Sequence, residues 1–84
     1  MKANVYSIFD VKAQAYGPLF TRGRDEEAVR FVEDMLTDSN SLVARHPADY
    51  VLYRVGSFDS YAGCLVGLHA PEHIIAVADV VKKS

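Results

Sequence analysis

Two stretches of this sequence carry apolar or aromatic side chains on both faces of an extended chain. In residues 4–11, Val5, Phe9 and Val11 fall on one side and Tyr6 and Ile8 on the other. In residues 50–58, Tyr50, Leu52 and Arg54 alternate with Val51, Tyr53 and Val55. A strand that is apolar on both faces needs cover on both. The chain has 84 residues, which makes one domain spanning 1–84. A domain of that size buries only about 60–65% of its unfolded surface. The number of helices available for cover therefore decides the architecture.

Two helices are predicted. Asp25 is placed to cap the first, with Glu26 and Glu27 in its positive first turn. Ala28, Phe31, Val32, Met35 and Leu36 then form one apolar stripe that ends near Asp38. Asp38-Ser39-Asn40-Ser41 stops this helix and caps a short helical turn over residues 42–45. Pro71 suits the first position of the second helix, with Ile74, Ile75, Ala78 and Val81 on one face and Lys82-Lys83 at its end. The β-branched density of residues 74–81 argues for a strand instead; length and end signals favour the helix.

Between the helices, His46-Pro47-Ala48-Asp49 reads as a tight turn, and Asp59-Ser60-Tyr61-Ala62-Gly63 as a hairpin loop returning a strand over residues 64–68. Residues 12–16 read as a turn, Gly17-Pro18 as a break, and residues 19–22 as a short strand. The predicted fold is α+β. It is an antiparallel four-stranded sheet in the order strand, strand, helix, strand, strand, helix, with two helices on one face. The other face is then hidden in a dimer or used for a ligand.

Several kinds of chemistry find no support in the residues. There is no phosphate-binding glycine loop, no Gly-x-Ser-x-Gly elbow and no His-Glu-x-x-His, so no catalytic residue and no cofactor is assigned. The three histidines, His46, His69 and His73, lack the further ligands of a metal site and read as surface or capping groups. The single cysteine, Cys64, lies in a predicted strand and reads as a buried structural thiol. No segment approaches the roughly 20 apolar residues of a membrane span. The opening residues carry no apolar core of a secretory signal.

Nine basic and eleven acidic residues leave a formal charge of −2, unlike a protein that coats DNA by charge alone. Binding of single strands needs local cations beside stacking surfaces. Lys12, Arg22, Arg24, Arg45 and Arg54 are the candidate phosphate contacts, and Tyr6, Tyr16, Phe20 and Tyr53 the candidate stacking groups. The competing reading is a mixed-charge solvated surface with the aromatics in the core.

The segments Tyr6-Ser7-Ile8-Phe9-Asp10, Tyr16-Gly17-Pro18-Leu19-Phe20 and Asp25-Glu26-Glu27-Ala28-Val29-Arg30 form a series. It continues in His46-Pro47-Ala48-Asp49-Tyr50-Val51-Leu52-Tyr53-Arg54-Val55-Gly56-Ser57-Phe58-Asp59, its most specific part. Over residues 4–63 the chain resembles the small non-structural protein of gokushoviruses, bacterial viruses of the Microviridae with circular single-stranded DNA genomes. The resemblance implies a protein of the host bacterial cytoplasm that binds DNA. It also implies a likeness to the microvirus protein that switches replication toward single-strand synthesis and packaging. It assigns no DNA-contacting residue. The expectation is thus a non-enzymatic phage accessory protein, dimeric, with weak and salt-sensitive affinity for single-stranded DNA. The alternative is an interaction module that docks on the viral replication initiator, a host replication factor or capsid precursors without touching DNA.

Overall fold

Strand β1 (Lys2–Asp10) has neighbours along both edges in the computed structural model, which describes residues 2–83. On one edge lies β4 (Tyr50–Asp59), antiparallel, from Lys2 opposite Asp59 to Asp10 opposite Tyr50. Val55 is an extra residue in that ladder, so the register shifts between Val5 and Tyr6. On the other edge β2 (Ala15–Tyr16) pairs with Phe9 and Asp10, and β3 (Phe20–Arg22) pairs with Asn4, Val5 and Tyr6. Strand β5 (Cys64–Ala76) completes the sheet on the far side of β4. The sheet is antiparallel and five-stranded, in the order β2-β1-β4-β5 with β3 also on β1.

The antiparallel α+β architecture matches expectation and the expected second strand forms as β3, but residues 15–16, expected in a turn, add a further short strand. Pro18 has no N–H to give to a ladder. Pairing therefore breaks around Gly17-Pro18 and resumes at Phe20. The Gly17 N–H donates to the Ile8 carbonyl at 2.9 Å, and Ser7 Oγ donates to the Gly17 carbonyl at 2.8 Å. These two bonds hold the break against β1.

Helix α1 (Asp25–Leu36) follows the predicted stripe, with Ala28 and Val32 fully buried. Its N-cap is Arg24, whose side chain makes no capping bond, and not Asp25 as expected. Asp25 lies inside the first turn and accepts a bond from the sheet. Helix α2 (Leu42–Arg45) is capped by Ser41, whose hydroxyl accepts the Val43 N–H at 3.2 Å. A single 3-10 turn, Pro47–Asp49, leads into β4.

The C-terminal region departs most from expectation. No helix starts at Pro71; β5 runs on to Ala76, and only Val77–Lys83 is helical (α3). Leu52 pairs with Ile75 and Val51 with Ala76, so β4 offers a partner edge that β-branched residues fit well. Pro71 lies where the ladder steps from Arg54 opposite Glu72 to Gly56 opposite Gly67. Residues 68–71 face Val55 there in an irregular bulge, and a missing N–H disrupts little.

The core comprises Tyr6, Leu52, Ala28, Val32, Val43, Val77 and Val80, so α1, α2 and α3 all pack on one face of the sheet. All three helices among the described residues contribute to this core, α2 being the helical turn expected over residues 42–45. Leu52 is fully buried at the centre, where truncation to alanine removes about 2–5 kcal/mol.

Candidate nucleic-acid interface

The β1–β4 register sorts the candidate residues onto different faces. Tyr6 faces Arg54 across the ladder and Phe20 across the other edge, and Asn4 faces Arg22. These side chains share the helix-covered face. Ser7 faces Tyr53 and therefore lies on the opposite one. These candidates do not form one cluster.

Tyr6 is removed from any stacking surface: its exposure is 0%. Its ring lies 5.7 Å from that of Phe20, and its hydroxyl donates to Asp25 Oδ1 at 2.6 Å while accepting from Asn4 Nδ2 at 3.1 Å. Burial, and then the bond to Asp25, push the Tyr6 phenol up to about 12. Phe20 packs against the same core and lies 4.5 Å from the Phe31 ring.

The arginines are engaged as well. Arg22 lies over Phe31 at 4.7 Å and Phe20 at 5.5 Å, and donates to the Thr21 carbonyl at 2.6 Å. Arg24 stands 3.6 Å from Glu27, an exposed pair of small energetic weight. Arg54 Nη2 donates to Glu72 Oε2 at 2.7 Å, and that bond raises the Arg54 pKa. Lys12 is exposed in the turn between β1 and β2; its backbone N–H donates to Asp10 Oδ1 at 3.0 Å.

Tyr53, by contrast, belongs to a cluster on the helix-free face. Phe9 and Tyr16 lie 4.7 Å apart, Tyr16 and Tyr53 5.7 Å, and Phe9 and Tyr53 6.1 Å. The His73 ring stands edge-on to Tyr53 at 5.8 Å. None of the four belongs to the core cluster. Tyr16 is 45% exposed, and His73 is exposed too. Of the four, Tyr16 and Tyr53 were sequence-derived candidates, and Phe9 and His73 were not. The alternation of β1 already placed Phe9 opposite Tyr6 and Ile8. Finding His73 beside Tyr53 requires the extended β5.

The helix-covered side carries a second feature. A cleft of about 600 Å³ opens between the β2–β3 arm and helices α1 and α2, lined chiefly by Ile8, Leu19, Phe31, Met35, Leu42 and Tyr50. Cys64, expected to be buried, is exposed. Among the described residues, no group of three or more histidine, cysteine or acidic side chains is placed to hold a metal ion. No described helix is long and apolar enough to cross a membrane.

The Phage ORF5 protein family matches the chain over residues 3–80. The chain belongs to that family. It is 40% identical over 62 residues to Protein ORF5 of Chlamydia phage 1, a match covering 69% of this chain and 65% of that relative. The chain thus spans about two thirds of the length of the relative it matches. The gokushovirus resemblance is borne out, and the family match runs on through β5 to the start of α3, beyond residue 63. No solved structure matches.

Proposed function

We propose that this phage accessory protein associates with single-stranded viral DNA on the helix-free face of its sheet. It would do so in the host bacterial cytoplasm, at the stage when replication gives way to packaging. The observation that carries this reading is the ring cluster of Phe9, Tyr16, Tyr53 and His73. Bases stack on aromatic rings with little regard to sequence, and only unpaired bases offer both π-faces. Lys12 stands in the turn joining the strands of Phe9 and Tyr16, next to the path of a bound strand. With a net charge of −2, and with Arg24 and Arg54 beside carboxylates, binding is weak and falls as salt rises. The role is non-enzymatic in this reading.

The test is a fluorescence-anisotropy titration with single-stranded and duplex oligonucleotides at low and near-physiological salt. The parent protein is expected to prefer the single strand. Tyr16→Ala, at a partly exposed position, is expected to weaken that binding at least about fivefold, the low end for one stacked base. Equal affinity for duplex, or a Tyr16→Ala variant that binds as the parent does, would remove the ring cluster from the mechanism.

The cleft beside α1 favours a second reading, in which the chain docks on another protein such as the viral replication initiator, a host replication factor or a capsid precursor. Exposed Leu19 and Leu42 at its rim offer the apolar contacts such a partner needs. Absence of DNA binding at low salt, with a partner retained only while Leu42 is intact, would select it.

A further inference from the structure

The two edges of the sheet are built differently. One ends in β2 and β3, strands of two and three residues separated by Gly17-Pro18. The other is β5, thirteen residues long, whose only strand partner among the described residues is β4. Along residues 64–70 every residue is exposed. Leu65 is 59% and Val66 60% exposed, and consecutive strand residues point to opposite faces, so neither face is covered there. A side chain at Gly67 would meet nothing within 4 Å.

An edge of this kind presents a row of backbone donors and acceptors to another strand. Proteins usually protect such edges with charge or a bulge; residues 64–70 (Cys-Leu-Val-Gly-Leu-His-Ala) contain no lysine, arginine or carboxylate, and the bulge opposite Val55 begins only at Leu68. We infer that residues 64–70 pair antiparallel with the same residues of a second copy, forming a two-fold symmetric dimer through a continuous sheet. Three features select a second copy as the occupant. An antiparallel strand is its own backbone complement, and a two-fold pair buries the same patch on both chains. An uncharged segment meets itself without like-charge repulsion. Pro71 ends the run, and the short opposite edge gives no further addition site, so pairing closes at two chains and does not grow a fibre. A two-fold axis normal to the sheet keeps both ring clusters on the same side. The dimer itself does not depend on DNA binding.

The test is sedimentation equilibrium without nucleic acid, from about 1 µM to about 1 mM, a span that covers ordinary dimer affinities. The parent is expected at twice the chain mass at the upper end. Val66→Lys and Val66→Glu, at an exposed site, are each expected to be monomeric at concentrations where the parent is dimeric, with unchanged circular dichroism. An equimolar mixture of the two variants is expected to recover the dimer, because opposite charges then meet across the axis. A parent that stays monomeric throughout overturns the inference. So does a parent dimer unaffected by both charges, which would place the interface elsewhere, or charge-sensitive dimers that the mixture fails to restore.

Discussion

Replacing Tyr6 by phenylalanine isolates a single interaction at the joint between sheet and helix. The ring keeps its shape, so the contact with Phe20 remains and no cavity opens. What disappears is the 2.6 Å bond to Asp25 and the acceptor for Asn4. A hydrogen bond to a charged acceptor is worth about 1.5–3 kcal/mol net. Asp25 is only half-buried and water can replace the phenol, so the loss at neutral pH is expected near 1–2 kcal/mol. In a domain of this size that lowers the melting temperature by on the order of 5–15 °C. The alkaline limb adds a signature that a packing defect would not give. The phenol titrates near 10 in the unfolded chain and at about 12 in the fold. Its stabilisation is therefore complete below pH 10 and is lost as pH rises toward 12, by about 3 kcal/mol in all. Phenylalanine has no such loss. The stability difference between parent and variant should shrink above pH 10, vanish near about pH 11 and then reverse. Urea unfolding followed by circular dichroism at several pH values measures this directly. A difference that stays constant from neutral to strongly alkaline pH would refute the argument that the buried phenol and its bond to Asp25 act as one unit.

Gly56→Ala is expected to destabilise the protein strongly, by about 1–3 kcal/mol, because the new methyl group would collide with the Val66 carbonyl oxygen and force β5 away from β4; denaturant midpoints measure it. Glu72→Gln is expected to leave stability within about 1 kcal/mol, since half of the Arg54–Glu72 pair is exposed, while removing a negative charge beside a cation. Because Arg54 lies on the helix-covered face, away from the ring cluster, that variant is expected to bind single strands with an unchanged salt slope. A slope steeper by about one would bring Arg54 into the interface. Cys64 is expected to react with an aromatic disulfide reagent in the folded protein at micromolar concentration as readily as in denaturant. Protection under native conditions would contradict its exposure.

Much of the fold was legible because its signals are local. The stripe of α1, the Ser41 cap and the Pro47–Asp49 turn each lie within a few residues, and each forms where its residues indicate. Residues 71–76 were misread because Pro71 and Glu72 mimic a helix start, while the competing signal is the vacant edge of β4, some twenty residues away in sequence. Asp25 was misread for a similar reason. Its spacing suits a cap, but the partner that holds it is Tyr6 on β1. The candidate site was less legible than the fold. Arg22 looked available for phosphate until β3 laid it over Phe20 and Phe31. Alternation alone separated Tyr53 from Arg54; the ring cluster around Tyr53 needed four strands to assemble.

The pairing of β1 with a strand remote in sequence has a kinetic consequence. Its longest ladder is with β4, and the two are separated in the chain by the β2–β3 arm, α1 and α2. The β4–β5 hairpin, in contrast, closes over a short loop. Local contacts form at smaller entropic cost than distant ones. The expected sequence of events is hairpin first and capture of β1 afterwards, with Tyr6 reaching Asp25 only in the second step. Pulse-labelled hydrogen exchange during refolding should then find the amides of residues 50–58 protected against β5 before those of β1, and simultaneous protection would rule the order out. The uncharged segment at residues 64–70 would accordingly be formed, and open to other chains, before the core of the domain has closed.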